Sequence, residues 1–318
     1  MMKDNSSSLD ECFNEGYVIS LTALLPVLSL SIFSGVAAVF LNVLVIWTIY
    51  RNSILRCITN YWIISLAVAD LLVGILGVPV WCLKLLHKAR IIKVNVHNIF
   101  TCILVLTLVS SSLNLLALSF DRFIGVTSPF RYPALLTQER CRKGIAVIWA
   151  LSVLAAIASL RSKCIVNADG HLLLFAVIIG APSIFICYFY FRIFKEAIRQ
   201  KRLIMVQQQS SSGQPRFVKE SKAAMTVAMV IGSFALCWFP SLIDAVIHLV
   251  APSFWRNTQL YLGTTPLACF SSVVNPILYS VRNKTFRNSF RSVFMTTRVC
   301  PRNVVTDVCE TQLKVSMG

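Results

Sequence analysis

The sequence has few charged residues: Asp, Glu, Lys and Arg make up only 14% of its 318 residues. A soluble domain of this size carries roughly a quarter charged residues, so the composition excludes an ordinary soluble protein. Hydrophobic residues account for 56% of the chain, which predicts an all-α membrane protein. Residues 1–16 lack the short apolar core of a cleavable signal peptide. We therefore expect the first apolar run to direct membrane insertion.

Acidic residues are especially few, with 13 Asp and Glu against 30 Lys and Arg, giving a net charge of +17. Such an excess is typical of nucleic-acid-binding proteins. Here, however, most of the cations lie in alternate connections between apolar runs, and therefore on one side of a membrane. Cytoplasmic loops carry this excess, so the pattern predicts an extracellular N-terminus and no nucleic-acid partner.

Histidine is also scarce: the chain has 4, all predicted near the outer face, and none form an i, i+4 pair. Catalysis within the apolar runs would need a metal cluster or a nucleophile beside a base, so neither an enzyme nor a metal centre is expected. A seven-span transporter or channel is the alternative. Such proteins show internal repeats and several deep charges, whereas here Asp70 alone lies deep in a run.

Seven apolar runs are long enough to cross a membrane as helices. They lie near residues 22–50, 58–83, 95–121, 144–160, 171–192, 223–250 and 258–281. The predicted organisation is an extracellular tail at 1–21, a seven-helix bundle at 22–281, a short amphipathic eighth helix at 282–298 and a cytoplasmic tail at 299–318. An odd number of spans puts the termini on opposite sides, in agreement with the charge pattern.

The terminal segments carry candidate modification sites. Asn5 begins an Asn-Ser-Ser sequence that is glycosylated only on the extracellular side. In the eighth helix, Phe286, Phe290 and Phe294 recur at helical spacing, as in helices that lie on the inner membrane surface. Cys300 follows this helix, and it is either palmitoylated or a plain thiol.

The third run ends in an acidic and a basic residue side by side, Asp121 and Arg122. This pair cannot remain in hydrocarbon without partners, so it marks a membrane boundary and a functional position. At mid-depth, Asp70 together with hydroxyls and amides from neighbouring helices would line a small cavity suited to a monovalent cation and water. These polar residues are Asn42, Ser111, Ser112, Asn114 and Asn275. The alternative is a hydrogen-bond network that holds helices together.

An ordered set of motifs then resembles one family. Across residues 20–298 the chain is similar to the rhodopsin-like (class A) G-protein-coupled receptors, with one marker in each run. The markers are Asn42; Leu66-Ala-Val-Ala-Asp70; Asp121-Arg122-Phe123; Trp149; Pro182 with Tyr190; Cys237-Trp238-Phe239-Pro240; and Asn275-Pro-Ile-Leu-Tyr279 followed by Phe286. The nearest groups are melanocortin-, lysophospholipid-, cannabinoid- or adenosine-type receptors, or an amine-like receptor without the amine-binding Asp.

The resemblance implies a plasma-membrane receptor whose partners are an extracellular ligand, a heterotrimeric G protein, arrestin and lipid. It implies that Arg122 pairs with Asp121 and Glu220 at rest, and that outward movement of the sixth helix frees it. The other implied residues are Tyr190, Tyr279, Pro129 and Phe130 for coupling, Trp238, Phe234, Pro240 and Pro182 for transmission, and Asp70, Ser111 and Asn275 for an allosteric sodium ion. No other cofactor is expected.

Departures from the family pattern bear on the outer half. His97 stands where the family usually has a bridging Cys, so Cys102–Cys164 and Cys12–Cys164 are rival pairings. Leu104 stands where amine receptors have an Asp, which disfavours an ordinary amine ligand. Cys269 stands where opsins have a Lys, so attached retinal is excluded.

The outer half offers few polar anchors for a ligand. Asp244 is either the counterion of a cationic ligand group or a partner of Arg256 or Lys163. The other candidate ligand-binding residues are His248, Leu104, Leu108, Thr264 and Thr265. They suit an amphipathic small molecule, a lipid or a short peptide, and the sequence does not choose among these.

Overall fold

A computed structural model describes residues 19–161, 168–207, 216–251, 254, 260–282 and 286–288. Seven long helices contain most of these residues. They are α1 (Leu21–Arg51), α2 (Ile58–Lys88), α3 (His97–Thr127), α4 (Gln138–Arg161), α5 (Ala168–Gln207), α6 (Arg216–Val250) and α7 (Tyr261–Arg282). A short helix, Tyr132–Leu135, lies between α3 and α4.

Five of these helices are by themselves long and apolar enough to cross a membrane: α1 to α4, and the segment Ala228–Ile247 of α6. The bundle is completed by α5, which packs against α3 and α6, and by α7, which packs against α1 and α6. Buried polar residues such as Ser271, Ser272 and Asn275 lower the mean hydropathy of α7. The predicted seven-transmembrane bundle is confirmed.

Successive helices run in opposite directions, so the bundle has two ends. The Asp121 end contains the last turns of α3 and the first turns of α2. The His97 end contains the first turns of α3 and α7 and the last turns of α2 and α6.

A wide π-type turn at Val73–Gly77 interrupts α2 and ends two residues before Pro79. Proline has no backbone N–H, and its ring clashes with the carbonyl four residues earlier, so the helix widens there. Within this turn, a Cβ atom on Gly74 would lie 2.7 Å from Val39 Cγ2 and 2.9 Å from the Gly35 carbonyl oxygen. The absence of a side chain at Gly74 therefore allows α1 and α2 to approach closely.

The outward faces of the helices are apolar, and Phe33 and Phe40 of α1 are exposed there. Such faces suit hydrocarbon, because helices satisfy their own backbone hydrogen bonds. Inside, polar side chains join neighbouring helices. Asn42 Nδ2 donates to the Ser272 carbonyl oxygen at 3.0 Å, which connects α1 to α7.

Several predicted features lie outside the described residues. They are the glycosylation site Asn5, the cysteines Cys12 and Cys164, most of the eighth helix, and Cys300. Residues 286–288 are helical, and buried Phe286 packs on Tyr279 with ring centroids 6.3 Å apart. Cys102 carries a free thiol, and the pairing of the outer cysteines stays a prediction because Cys12 and Cys164 lie outside the described residues.

Candidate functional site

Asp121 is completely buried near the end of α3, and three side chains bond its carboxylate. Thr59 Oγ1, from the start of α2, donates to Oδ2 at 2.8 Å, and Tyr132 Oη donates to Oδ1 at 2.7 Å. Arg122 Nε donates to Oδ2 at 2.9 Å, and Arg122 Nη2 lies 2.5 Å from the same oxygen. Burying a carboxylate is costly unless it is paired and hydrogen-bonded, and both conditions are met here.

Arg122 is 8% exposed and also bonds the Thr59 hydroxyl. Removing one member of a buried pair leaves the other charge uncompensated, which is strongly unfavourable. The cluster formed by Thr59, Asp121, Arg122 and Tyr132, called the Asp121 cluster below, therefore joins α2, α3 and the connection after α3.

Tyr132 belongs to this cluster although the sequence did not single it out. It begins the short helix after α3 and packs on Ile124 and Leu136. Burial raises the pKa of its phenol, and the neighbouring Asp121 carboxylate raises it further. The phenol therefore keeps its proton and acts as a hydrogen-bond donor at neutral pH.

Thr59 was also missed. The sequence held one signal for it: because α2 and α3 run in opposite directions, the start of α2 lies at the same depth as the end of α3. That signal selects a turn of helix but not which of its side chains faces Asp121.

The remaining predicted switch residues lie close by. Tyr190 of α5 is half-buried, packs against Val126 and Ile193, and lies near Arg122. Tyr279 of α7 is buried. The side chain of Glu220 lies outside what the structure describes, so its pairing with Arg122 stays a prediction.

Pro129 and Phe130, predicted to dock a G protein, precede the short helix. Phe130 is 96% exposed, which makes it one of the most accessible apolar side chains at the Asp121 end. An apolar side chain at this level, beyond the last turn of α3, is available to a partner.

At mid-depth, two of the three predicted sodium-site residues, Asp70 and Asn275, are in contact. Asn275 Nδ2 donates to Asp70 Oδ2 at 2.9 Å, and Ser272 lies near the same carboxylate. Ser111 is buried and lines the adjoining cavity, while Asn275 Oδ1 is buried without a partner among the described residues. A carboxylate beside an orphaned oxygen fits a small hard cation. The same contacts join α2 to α7, as the network interpretation predicts.

The predicted transmission residues lie on α5 and α6. Phe234 and Trp238 are buried one turn apart, with ring centroids 5.8 Å apart. Pro240 lies inside α6 and Pro182 inside α5. Each proline removes one backbone hydrogen bond and permits a bend.

A cavity of about 180 Å³ lies between α2, α3, α6 and α7. It extends from Ser111 and Ser272 at mid-depth to Phe100 and Asp244 toward the His97 end. Trp238 forms part of its wall. The space is therefore continuous from the candidate ion site to the outer half of the bundle.

Most of the predicted ligand-binding residues line this cavity. They are Leu104, Asp244, Thr264 and Thr265. Leu108 does not: it lies one turn deeper on α3, where neighbouring side chains enclose it in the core at 1% exposure. The side chain of His248 lies outside the described residues, as do Arg256 and Lys163, so the two roles considered for Asp244 stay predictions.

Comparison with known proteins defines the class of protein. Residues 41–279 match the family described as 7 transmembrane receptor (rhodopsin family). The chain therefore belongs to the rhodopsin family of seven-transmembrane receptors and is a multi-pass membrane protein. This match gives the transporter or channel alternative no support.

Individual relatives agree with this assignment. The chain is 33% identical to the histamine H2 receptor of Cavia porcellus over 242 residues, covering 70% of this chain and 65% of that receptor. It is 32% identical to the histamine H2 receptor of Homo sapiens over 243 residues, covering 70% and 64%. It is 30% identical to the adenosine receptor A2b of Gallus gallus over 243 residues, covering 65% and 69%. The matched part thus spans just under two thirds of the histamine receptors.

Proposed function

We propose that this chain is a plasma-membrane receptor that transmits the binding of an extracellular ligand to heterotrimeric G proteins. The observation that carries the proposal is the buried Asp121–Arg122 pair, which lies at the same end of the bundle as exposed Phe130. In this proposal the Asp121 end faces the cytoplasm and the N-terminus is extracellular, since the basic connections lie at the Asp121 end. Relatives named as histamine and adenosine receptors support the same class of function.

The mechanism follows from the Asp121 cluster. At rest, Asp121 and Thr59 occupy the guanidinium of Arg122. Outward movement of α6 about the bend at Pro240 opens the space beside α3 and releases Arg122 to the G protein. A ligand that binds the open arrangement more tightly shifts the population toward it. Pro129 and Phe130 contact the bound G protein, and arrestin uses the same opened face.

The cavity favours a small ligand. Its volume of about 180 Å³ lies below the roughly 300–1,000 Å³ typical of pockets for drug-sized molecules. A lipid chain or a folded peptide would need a much larger space. Apolar Leu104 and Phe100 together with the hydroxyls of Thr264 and Thr265 suit an amphipathic small molecule. Membrane lipid contacts the outward faces of the helices instead.

An allosteric sodium ion fits the centre of the bundle, where Asp70, Ser111 and Asn275 supply oxygens. The ion would neutralise the Asp70 carboxylate and stabilise the resting arrangement. Replacing potassium with sodium should then lower basal nucleotide exchange in membranes that carry the wild type, and Asp70→Asn should abolish that difference. An equal sodium effect in both proteins would contradict the site.

A broad screen of small organic molecules against the expressed receptor, read out as guanine-nucleotide exchange on each class of G protein, tests the proposed function. At least one compound should raise exchange in the wild type and fail to do so in Arg122→Ala expressed at the same surface density. The proposal fails if neither a compound nor the activating variant Asp121→Asn raises exchange on any G protein.

A further inference from the structure

Two lysines one helical turn apart lie at the end of α2, on the face that meets α3 and α7. Lys84 Nζ lies 4.4 Å from the centre of the Phe100 ring, and Lys88 Nζ lies 4.2 Å from the centre of the Tyr261 ring. Phe100 belongs to α3 and Tyr261 to α7. Both ammonium groups are therefore directed toward the gap between three helices at the His97 end.

Neither ammonium group is neutralised by the part of the chain that the structure describes. The salt bridges found there join Asp121 to Arg122, Glu139 to Lys143 and Glu196 to Arg199. Lys84 and Lys88 lie four residues apart in one helix, a spacing at which like charges repel each other. Aromatic faces attract a cation weakly but carry no net charge, so two positive charges stand together beside apolar walls.

This pair of cations adjoins the cavity. Phe100 lines the cavity and also carries the Lys84 ammonium on its face. A group bound between the lysines is thus separated from the cavity by the Phe100 side chain. Asp244 lines the same cavity from α6.

On α2 and α3 the charge pattern is the reverse of the one that binds an amine. Leu104 places no carboxylate on α3 where amine receptors have one, and α2 adds two cations at the mouth of the same cavity. Hydroxyls of Thr107 and Ser241 lie deeper along the cavity wall and suit the body of a small polar molecule.

We propose that Lys84 and Lys88 bind the anionic head group, a carboxylate or a phosphate, of a small organic ligand whose body occupies the cavity. The proposal rests on the proposed receptor function and names its ligand class. Phe100 and Tyr261 hold the ammonium groups in place, and the arriving anion relieves their mutual repulsion. Charge-assisted hydrogen bonds from two ammonium groups to one anion are among the stronger polar contacts in proteins.

The test measures binding without any G protein. Purified full-length receptor in lipid nanodiscs is titrated with phenylpropionate and phenyl phosphate, and with uncharged phenylpropanamide and cationic phenylpropylamine as matched controls. Thermal stabilisation of the receptor reports binding. The variants are Lys84→Met and Lys88→Met, which keep much of the side-chain length, and Lys84→Arg, which keeps the charge. Lys93→Met is the matched control, because Lys93 is an exposed lysine of the same α2–α3 connection.

We expect both anions to stabilise the wild type more than the amide or the amine, and the stronger anion identifies the head group. Lys84→Met and Lys88→Met should each weaken anion binding at least about tenfold. Lys84→Arg should retain most of it, and Lys93→Met should bind like the wild type. The proposal is overturned if the amide or the amine stabilises the receptor as much as the anions, if no anion stabilises it, or if the two Met variants bind anions unchanged.

The two proposals fail in different ways. Lysine-dependent anion binding without nucleotide exchange would contradict the G-protein function and leave the anion site standing. Nucleotide exchange that responds to the amine and not to the anions would support the G-protein function and overturn the anion site.

Discussion

The two ends of the bundle hold charge in opposite ways. At the Asp121 end, opposite charges are buried together, and the Asp121 carboxylate accepts hydrogen bonds from three side chains. At the His97 end, Lys84 and Lys88 are like charges held on aromatic rings beside a cavity. The first arrangement is completed by the protein itself, whereas the second becomes favourable when a ligand supplies the missing charge.

The helix α2 contributes to both ends. Thr59, near its start, bonds Asp121, and Lys84, near its end, faces Phe100. The π-type turn at Val73–Gly77 lies between them and sets the rotation of one half relative to the other. Substitutions at either end of the bundle, or in this turn, therefore test whether the two ends hold charge in opposite ways.

The largest effect is expected at the Asp121 end. Asp121→Ala should lower the free energy of unfolding by about 3–5 kcal/mol, because it removes one member of a buried ion pair, the carboxylate that bonds the Arg122 guanidinium. Denaturation of the purified receptor in detergent measures this. Glu139→Ala is the control: its ion pair with Lys143 is mostly exposed, so its loss should cost no more than about 1 kcal/mol. Equal losses in both variants would show that the Asp121 cluster adds no special stability.

The turn in α2 should give the next largest effect. Gly74→Ala places a methyl group within 3 Å of Val39 and of the Gly35 backbone, so it should cost about 1–3 kcal/mol by overpacking. In Gly232→Ala of α6 the added methyl meets nothing within 4 Å, so higher helix propensity should stabilise that variant by up to about 1 kcal/mol. Thermal unfolding of the two variants gives the comparison. A neutral Gly74→Ala would show that the close α1–α2 approach is not required.

An effect of similar size is expected from a single hydrogen bond. Tyr132→Phe removes the donor 2.7 Å from Asp121 and should weaken the resting arrangement by about 1.5–3 kcal/mol, since a hydrogen bond to a charged group is lost. Under the proposed function, basal nucleotide exchange should rise in this variant. The control Tyr50→Phe changes an exposed tyrosine of α1 and should leave basal exchange unchanged. A basal rate in Tyr132→Phe that matches the control would remove Tyr132 from the switch.

Much of the fold followed from the sequence, because membrane helices must satisfy their backbone internally and so appear as long apolar runs. The contact between Asp70 and Asn275 also followed, since both residues had to lie at the same depth and away from lipid. Adjacent Asp121 and Arg122 were recognisable as a pair for the same reason.

The missed residues depend on packing between helices that a single sequence does not specify. Leu108 shares a helix face with Leu104, yet packing encloses one and leaves the other at the cavity. Lys84 and Lys88 directly follow the second apolar run of the sequence, but their position on aromatic rings of two other helices required the structure.

The central claim is that the buried pair at the Asp121 end restrains a G-protein-coupling arginine. Basal guanine-nucleotide exchange, measured in membranes that carry equal amounts of wild type, Asp121→Asn and Arg122→Ala, tests it most directly. The account predicts exchange in Asp121→Asn clearly above the wild type, and exchange in Arg122→Ala at the level of membranes without receptor. Equal exchange by Asp121→Asn and Arg122→Ala, on every class of G protein, would contradict it.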